Sequence, residues 1–402
     1  MKFPAPADAI ATIVSLAIAC SEPLTTTPQL TRVSSPRAAL TQDDGVPVMR
    51  DLANPRGLAW GPEGGLYVAE AGRGSKAPTA PCFIVLGSTV CYGATGAVSR
   101  LLNGEQERLI DDLPSWVITK NANGKPNNSG QAEGPNGISI HGLGNAYVIT
   151  GLEANPNVRN ANPAFAGFAR LIHISPTALT PGGGVNHSHK AAWEFVADLG
   201  QYEVDANPDC GDLDSNPFGV LADDGGVIVA DAGANALVRR SANGELSTFA
   251  AFSNNTTDPN AHPGCPDAAT RDFVPTTIVK GPDGAYYFSH LNGFPIVIGG
   301  SKVWRMEEGG TPSVYCSGFT FVTAIAFAPS GDLYVLEYAV GATVNTGGAL
   351  IRVAPDCTQT TVVTGLKNPT GLAVDDEGNA YVSMINGANF AAEGQVRRFT
   401  MP

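Results

Sequence analysis

Between Asp205 and Asn216 the chain reads Asp-Ala-Asn-Pro-Asp-Cys-Gly-Asp-Leu-Asp-Ser-Asn, with oxygen donors on Asp205, Asn207, Asp209, Asp212 and Asp214 around one glycine. Hard cations collect oxygen ligands, so these five residues are a candidate calcium loop. The segment departs from the helix-loop-helix calcium motif, because Gly211 comes one place late and no Glu closes it. An Asx-rich turn, in which the same side chains bond their own backbone, is the structural alternative. Glu70, Asp231 and Glu337 each end a short β-rich run and occupy alternate copies of a repeat. That alternation suggests a cation near an axis; the competing reading has each carboxylate accept amide hydrogen bonds from its own loop.

Other chemistries lack their residues. There is no nucleophile elbow, no phosphate loop preceding a helix and no Cys-His pair with metal spacing. His187 and His189 sit in a Gly-rich turn and receive no role. The formal charge of −13 comes with no basic cluster, which argues against a nucleic-acid partner.

The elements that must position these groups come from an internal repeat. Its best copy runs Asn54-Pro-Arg-Gly-Leu-Ala-Trp-Gly-Pro-Glu-Gly-Gly-Leu-Tyr-Val-Ala-Glu70, an apolar strand, a Gly-rich turn and a second strand. Further copies begin near Pro135, Pro217, Pro275, Val322 and Pro369. With Gly57, Gly137, Gly219, Thr277, Ala324 and Gly371 as equivalents, the intervals are 80, 82, 58, 47 and 47 residues. Four antiparallel strands per copy, arranged radially, make an all-β, six-bladed β-propeller. The last copy supplies three strands, and the orphan strand Val46–Leu52 is expected to complete that blade, which removes an exposed edge.

In such a blade the connections after the second strand lie on one face, here called upper. The long segments 72–95, 117–134, 151–168, 200–216, 253–274 and 290–301 all fall there, whereas 176–190 enlarges a lower turn. Long loops on a rigid scaffold commonly carry binding. The innermost ring around the channel is expected at Arg56, Asn136, Phe218, Thr276, Thr323 and Thr370, the candidate binding residues. A metal-dependent lactonase would need several carboxylate and amide oxygens there, and this ring offers one amide and one cation. At the upper ends of the second strands stand Glu70, Thr150, Asp231, Ser289, Glu337 and Met384.

The repeat from Asn54 to Gly72, the runs Asn207–Gly211 and Asp214–Gly219, Val274–Tyr287 with Asn292-Gly-Phe-Pro295, and Leu333–Glu337 resemble the ScyD/ScyE family of exported propellers. Val229–Arg239 is similar to the NHL repeat. The resemblance covers about residues 46–400 and implies an exported six-bladed propeller with calcium as a ligand. His290 and Cys210 stand where that pattern has an acidic residue and a glycine.

Residues 1–20 have the layout of an export signal, with Lys2, an apolar stretch from Ala9 and small residues at Ala17 and Ala19. Cys20 then allows lipid anchoring, and 21–45 reads as a disordered tether before the propeller at 46–402. Six cysteines remain, consistent with disulfides in an oxidising, extracytoplasmic compartment. The blade map pairs Cys82 with Cys91 and Cys210 with Cys265, and makes a Cys316 to Cys357 bridge doubtful. The leading expectation is a monomeric binding or scaffolding propeller holding a small molecule, glycan or protein on its upper face. The alternative is a metal-dependent lactonase-like hydrolase or another enzyme of secondary metabolism.

Overall fold

The computed structural model describes residues 38–402 except 128–129, 180–192, 253–271, 294–295, 386–393 and 402. Six radial sheets follow one another in chain order. Blade 1 is Pro55–Trp60, Leu66–Glu70, Ser88–Leu102 and Glu105–Lys120; blade 2 is Pro135–His141, Asn145–Thr150, Arg170–Ile174 and Trp193–Asp198. Blade 3 is Pro217–Asp223, Gly226–Asp231, Ala236–Arg240 and Leu246–Ala251; blade 4 is Pro275–Lys280, Tyr286–His290, Ser301–Met306 and Ser313–Phe319. Blade 5 is Val322–Phe327, Leu333–Glu337, Gly348–Val353 and Gln359–Leu366. Blade 6 joins Pro369–Val374, Ala380–Met384 and Gly394–Phe399 to Val46–Leu52, which runs antiparallel to the third of these. The chain is a six-bladed β-propeller closed by its N-terminal strand.

The second strands of blades 1, 4, 5 and 6 are buried along their whole length, as in Leu66–Glu70, because each is covered on both faces by the neighbouring blades. The core therefore lies between blades: Leu336, Leu350 and Val363 of blade 5 meet Leu372, Val382 and Phe399 of blade 6. The repeat glycine has a steric cause. A Cβ on Gly57 would lie 2.9 Å from the Asn136 carbonyl of the next blade, and one on Gly137 would lie 3.0 Å from the Phe218 carbonyl. Gly371 meets the Arg56 carbonyl in the same way, so the contact runs from the last blade back to the first. In blade 4, Thr277 occupies this position and donates to the Thr323 carbonyl at 2.9 Å.

Several expectations need correction. Cys316 and Cys357 are disulfide-bonded, with Cα atoms 5.7 Å apart. Cys316 pairs with Val303 partway along the outer strand of blade 4, and the lower turn of blade 5 carries Cys357 against it. Cys82 is bonded to Cys91, and Cys210 is also disulfide-bonded; its expected partner Cys265 lies outside the described residues. The tether ends earlier than residue 45: Leu40–Thr41 pairs in parallel with Val363 and Thr364, and the Arg397 guanidinium donates to the Gln42 and Gly45 carbonyls. The segment 72–95 is largely not a loop, because Cys82–Val85 forms a strand against the lengthened Ser88–Leu102. Cys20 and the export signal lie outside the described residues. The two bridges described in full point to an oxidising, extracytoplasmic environment. Among the described residues no helix is long and apolar enough to cross a membrane.

Candidate functional site

The first strands surround an axial channel of about 340 Å³. Every first strand breaks register with the second near the ring positions, for example between Pro55 and Leu58 and between Pro217 and Gly219. Such bulges re-aim side chains toward a barrel or channel axis. Arg56, Asn136, Phe218, Thr323 and Thr370 line the channel. Thr276 does not: its hydroxyl is taken up by the Val322 carbonyl at 3.0 Å and Ser289 Oγ at 2.9 Å. Phe218 leans away from the polar side to pack with Tyr338, Phe321 and Leu291.

Two glutamates that the repeat does not announce join this ring. Glu133 lies just ahead of the first strand of blade 2 and Glu153 just beyond its second. Arg56 reaches Glu133 at 3.3 Å and the Ala132 carbonyl at 2.9 Å, while Asn136 donates to Glu133 at 3.1 Å. Glu153 is 7 % exposed, takes a left-handed φ of 58° and lies near Glu133, with no hydrogen-bond partner on either carboxyl oxygen. Burial, then the Glu133 charge, raise its carboxyl well above the ordinary range. Glu153 therefore favours its protonated form. No spacing signal marks these residues; Gly151 is the local hint, since a Cβ there would collide with Asn216, Asn136 and Glu133.

The alternating carboxylates act within their own blades. Glu70 is fully buried and accepts from the Ala53 amide at 2.5 Å, Ser99 Oγ at 2.5 Å and the Arg108 guanidinium at 2.8 Å. Asp231 accepts from the Asn216 amide and Ser215 Oγ, both at 2.6 Å, and Glu337 accepts from the Thr320 amide at 2.8 Å. They tie the incoming loop to the second strand, the arrangement that competed with an axial ion. The register also moves the blade 4 equivalent by one residue, because Pro275 pairs with His290 and not with Ser289. His290 accepts from Trp304 Nε1 at 2.8 Å, so the proton is on the nitrogen facing the Gly300 carbonyl at 3.3 Å. Burial lowers His290 to about 4, and it is neutral.

The candidate calcium loop does not act as a linear set. Asp205 and Asp212 are exposed, and Asp205 accepts from Gln201 on the helix Leu199–Ala206. Asp209 is buried, accepts from Asn235 at 3.0 Å and the Gly211 amide at 2.8 Å, and is raised to about 6, chiefly by burial. Asn207 caps the helix with φ 39°, and Asp214 is partly covered. Beside them lies Glu203, one turn after the buried Leu199, a spacing that could have revealed it. Among the described residues, no three His, Cys, Asp or Glu side chains already converge as an ion would require.

No protein-family model matches the chain, and no curated protein matches it. Among solved structures, it is similar to virginiamycin B lyase from Staphylococcus aureus, crystallised in a catalytically inactive form with quinupristin. The identity is 14 %, with 90 % of this chain and 97 % of that one covered, at a TM-score of 0.41. It is similar to a luciferin-regenerating enzyme at 9 % identity, covering 90 % of this chain and 94 % of that one, with a TM-score of 0.46. It is also similar to a chain of a nidogen/laminin complex at 12 % identity, covering 74 % and 85 %, with a TM-score of 0.43.

Proposed function

We propose that this chain is an exported propeller, of the kind its repeat motifs resemble, that binds a small polar molecule where its upper loops meet the axial channel. The observation that carries the reading is a set of buried polar atoms with no protein partner. Arg56 Nε, Asn136 Oδ1, both Glu153 carboxyl oxygens, Asn216 Nδ2 and Thr323 Oγ1 come from four blades. Folded proteins rarely leave such groups unpaired, so a ring of them implies water or ligand between. The mouth carries little net charge, since Arg56 faces Glu133 and burial favours the protonated form of Glu153. That favours a neutral molecule rich in donors and acceptors, such as a sugar or its lactone.

Thermal-shift measurements against a panel of mono- and oligosaccharides and aldonolactones test it, repeated on Arg56→Ala and Asn136→Ala. A compound that stabilises the parent and neither variant supports the reading; an equal shift in all three places binding elsewhere. Export itself is tested by mass analysis of the mature N-terminus, which distinguishes cleavage after Ala19 from an acylated Cys20.

A hydrolase is the second reading, favoured by the buried Glu153 carboxyl, which burial and the nearby Glu133 charge raise above its ordinary range. Glu153 lies near Glu133 and favours its protonated form, so acid-base work at a single carbonyl fits this pair. Turnover of an aldonolactone by the parent, and its loss in Glu153→Gln, would support it. An axial metal fits poorly beside the Arg56 cation.

A further inference from the structure

Glu203 is 1 % exposed, and neither of its carboxylate oxygens has a hydrogen-bond partner. Hydrogen bonds gather the neighbouring acids: Asp231 accepts from Ser215 Oγ and the Asn216 amide, just beyond Asp214, and from the Ala234 amide, while the next residue, Asn235, donates to Asp209. Among the described residues, Glu203, Asp209, Asp214 and Asp231 form no salt bridge. Buried carboxylates without a counter-charge are costly, and a fold that gathers buried Glu203, Asp209 and Asp231 beside the partly covered Asp214 needs protons or a cation there. The Asn207 amide oxygen is likewise buried and unpartnered.

We propose that Glu203, Asp209, Asp214 and the Asn207 amide oxygen form a binding site for a hard divalent cation, calcium by its all-oxygen donor set, at the junction of blades 2 and 3. Asp231 stands behind these ligands, its oxygens engaged by Ser215, Asn216, Gly233 and Ala234, and adds negative potential. The exposed Asp205 and Asp212 are outside the site. Binding requires side-chain rotation to bring the carboxylates around one point. The backbone beneath is already fixed by Asn207 N–H to the Glu203 carbonyl at 2.9 Å, Cys210 N–H to the Asn207 carbonyl at 3.0 Å, and the disulfide at Cys210. The site is separate from the channel mouth, so it stands or falls without the ligand reading above.

The full chain, stripped with a chelator and titrated with calcium chloride, tests the proposal by calorimetry and thermal melting. The expected result is one equivalent bound per chain and a melting temperature several degrees higher at millimolar calcium, with a smaller effect of magnesium chloride. Glu203→Gln should lose most of the calcium shift yet melt no lower than the parent in chelator, because it removes an uncompensated buried acid. Asp205→Asn and Asp212→Asn should keep the full shift. The site is overturned if calcium neither binds nor stabilises the parent, if Glu203→Gln retains the parent's response, or if the Asp205 and Asp212 variants abolish it. Magnesium acting as strongly as calcium would overturn the calcium assignment.

Discussion

Glu70 accepts the Ala53 amide at 2.5 Å, so the last residue of a second strand holds the loop that leads into its own blade. The same carboxylate takes Ser99 Oγ and the Arg108 guanidinium, leaving little of it for a ligand. Glu70→Ala should lower stability by about 2–3 kcal/mol, since it strands a buried N–H and hydroxyl. Chemical denaturation measures this; an unchanged midpoint would return Glu70 to the candidate ligands.

The repeat glycines should tolerate no side chain. Gly57→Ala sets a Cβ at 2.9 Å from the Asn136 carbonyl, and forcing the strands apart should cost about 1–3 kcal/mol. Ala324→Gly, at the equivalent position of blade 5, should cost about 1 kcal/mol or less. A comparison of the two midpoints checks the close approach of neighbouring first strands.

The two bridges described in full should differ in worth. Cys316 and Cys357 are separated by 41 residues and Cys82 and Cys91 by 9, so chain-entropy reasoning gives about 4 and about 2.5 kcal/mol. Paired Cys→Ala variants, melted under identical conditions, should show the larger loss for the bridge between blades 4 and 5. The reverse order would mean that the shorter loop is held mainly by contacts unrelated to chain closure.

His290 gives a pH signature. Its folded value near 4 lies below the ordinary 6.5, so the unfolded chain binds the proton more readily. Its contribution is complete above pH 6.5 and is lost as pH falls toward 4, to a total of order 3 kcal/mol. His290→Gln, which retains an acceptor for Trp304, should flatten the fall in stability between those values relative to the parent. Parallel curves would show that other groups govern that window.

Blade closure is tested by truncation. A chain beginning at residue 46 should fold with modest loss, since among the described residues it gives up Leu40–Thr41, the contacts of Arg397 and Lys367 with residues 42–45 and the packing of Gly45 on Phe399. A chain beginning at residue 53 loses the buried Met49 and Leu52 and bares the third strand of blade 6; it should aggregate or fail to fold. Circular dichroism and size-exclusion elution separate the outcomes.

The architecture was legible because each blade repeats one pattern of strand, glycine and turn, and because Val46–Leu52 has no partner until the last blade is built. The site was legible only where it belongs to that pattern, as with Arg56, Asn136 and Thr323. Glu133, Glu153 and Glu203 lie in connections, whose paths depend on contacts between blades and leave no period in the sequence. The Cys316 to Cys357 bridge was missed for the same reason: it depends on how closely the rims of adjacent sheets approach. The end of the second strand of blade 4 was misplaced by one residue because no carboxylate marks it; His290 stands as far from Pro275 as Glu70 does from Pro55.

The docking of Leu40–Thr41 on the outermost strand of blade 5 also determines how the disc would hang from anything attached ahead of it. Such a linkage leaves from the circumference, far from the axis. An attachment at the rim leaves both flat sides of the disc open to approaching molecules.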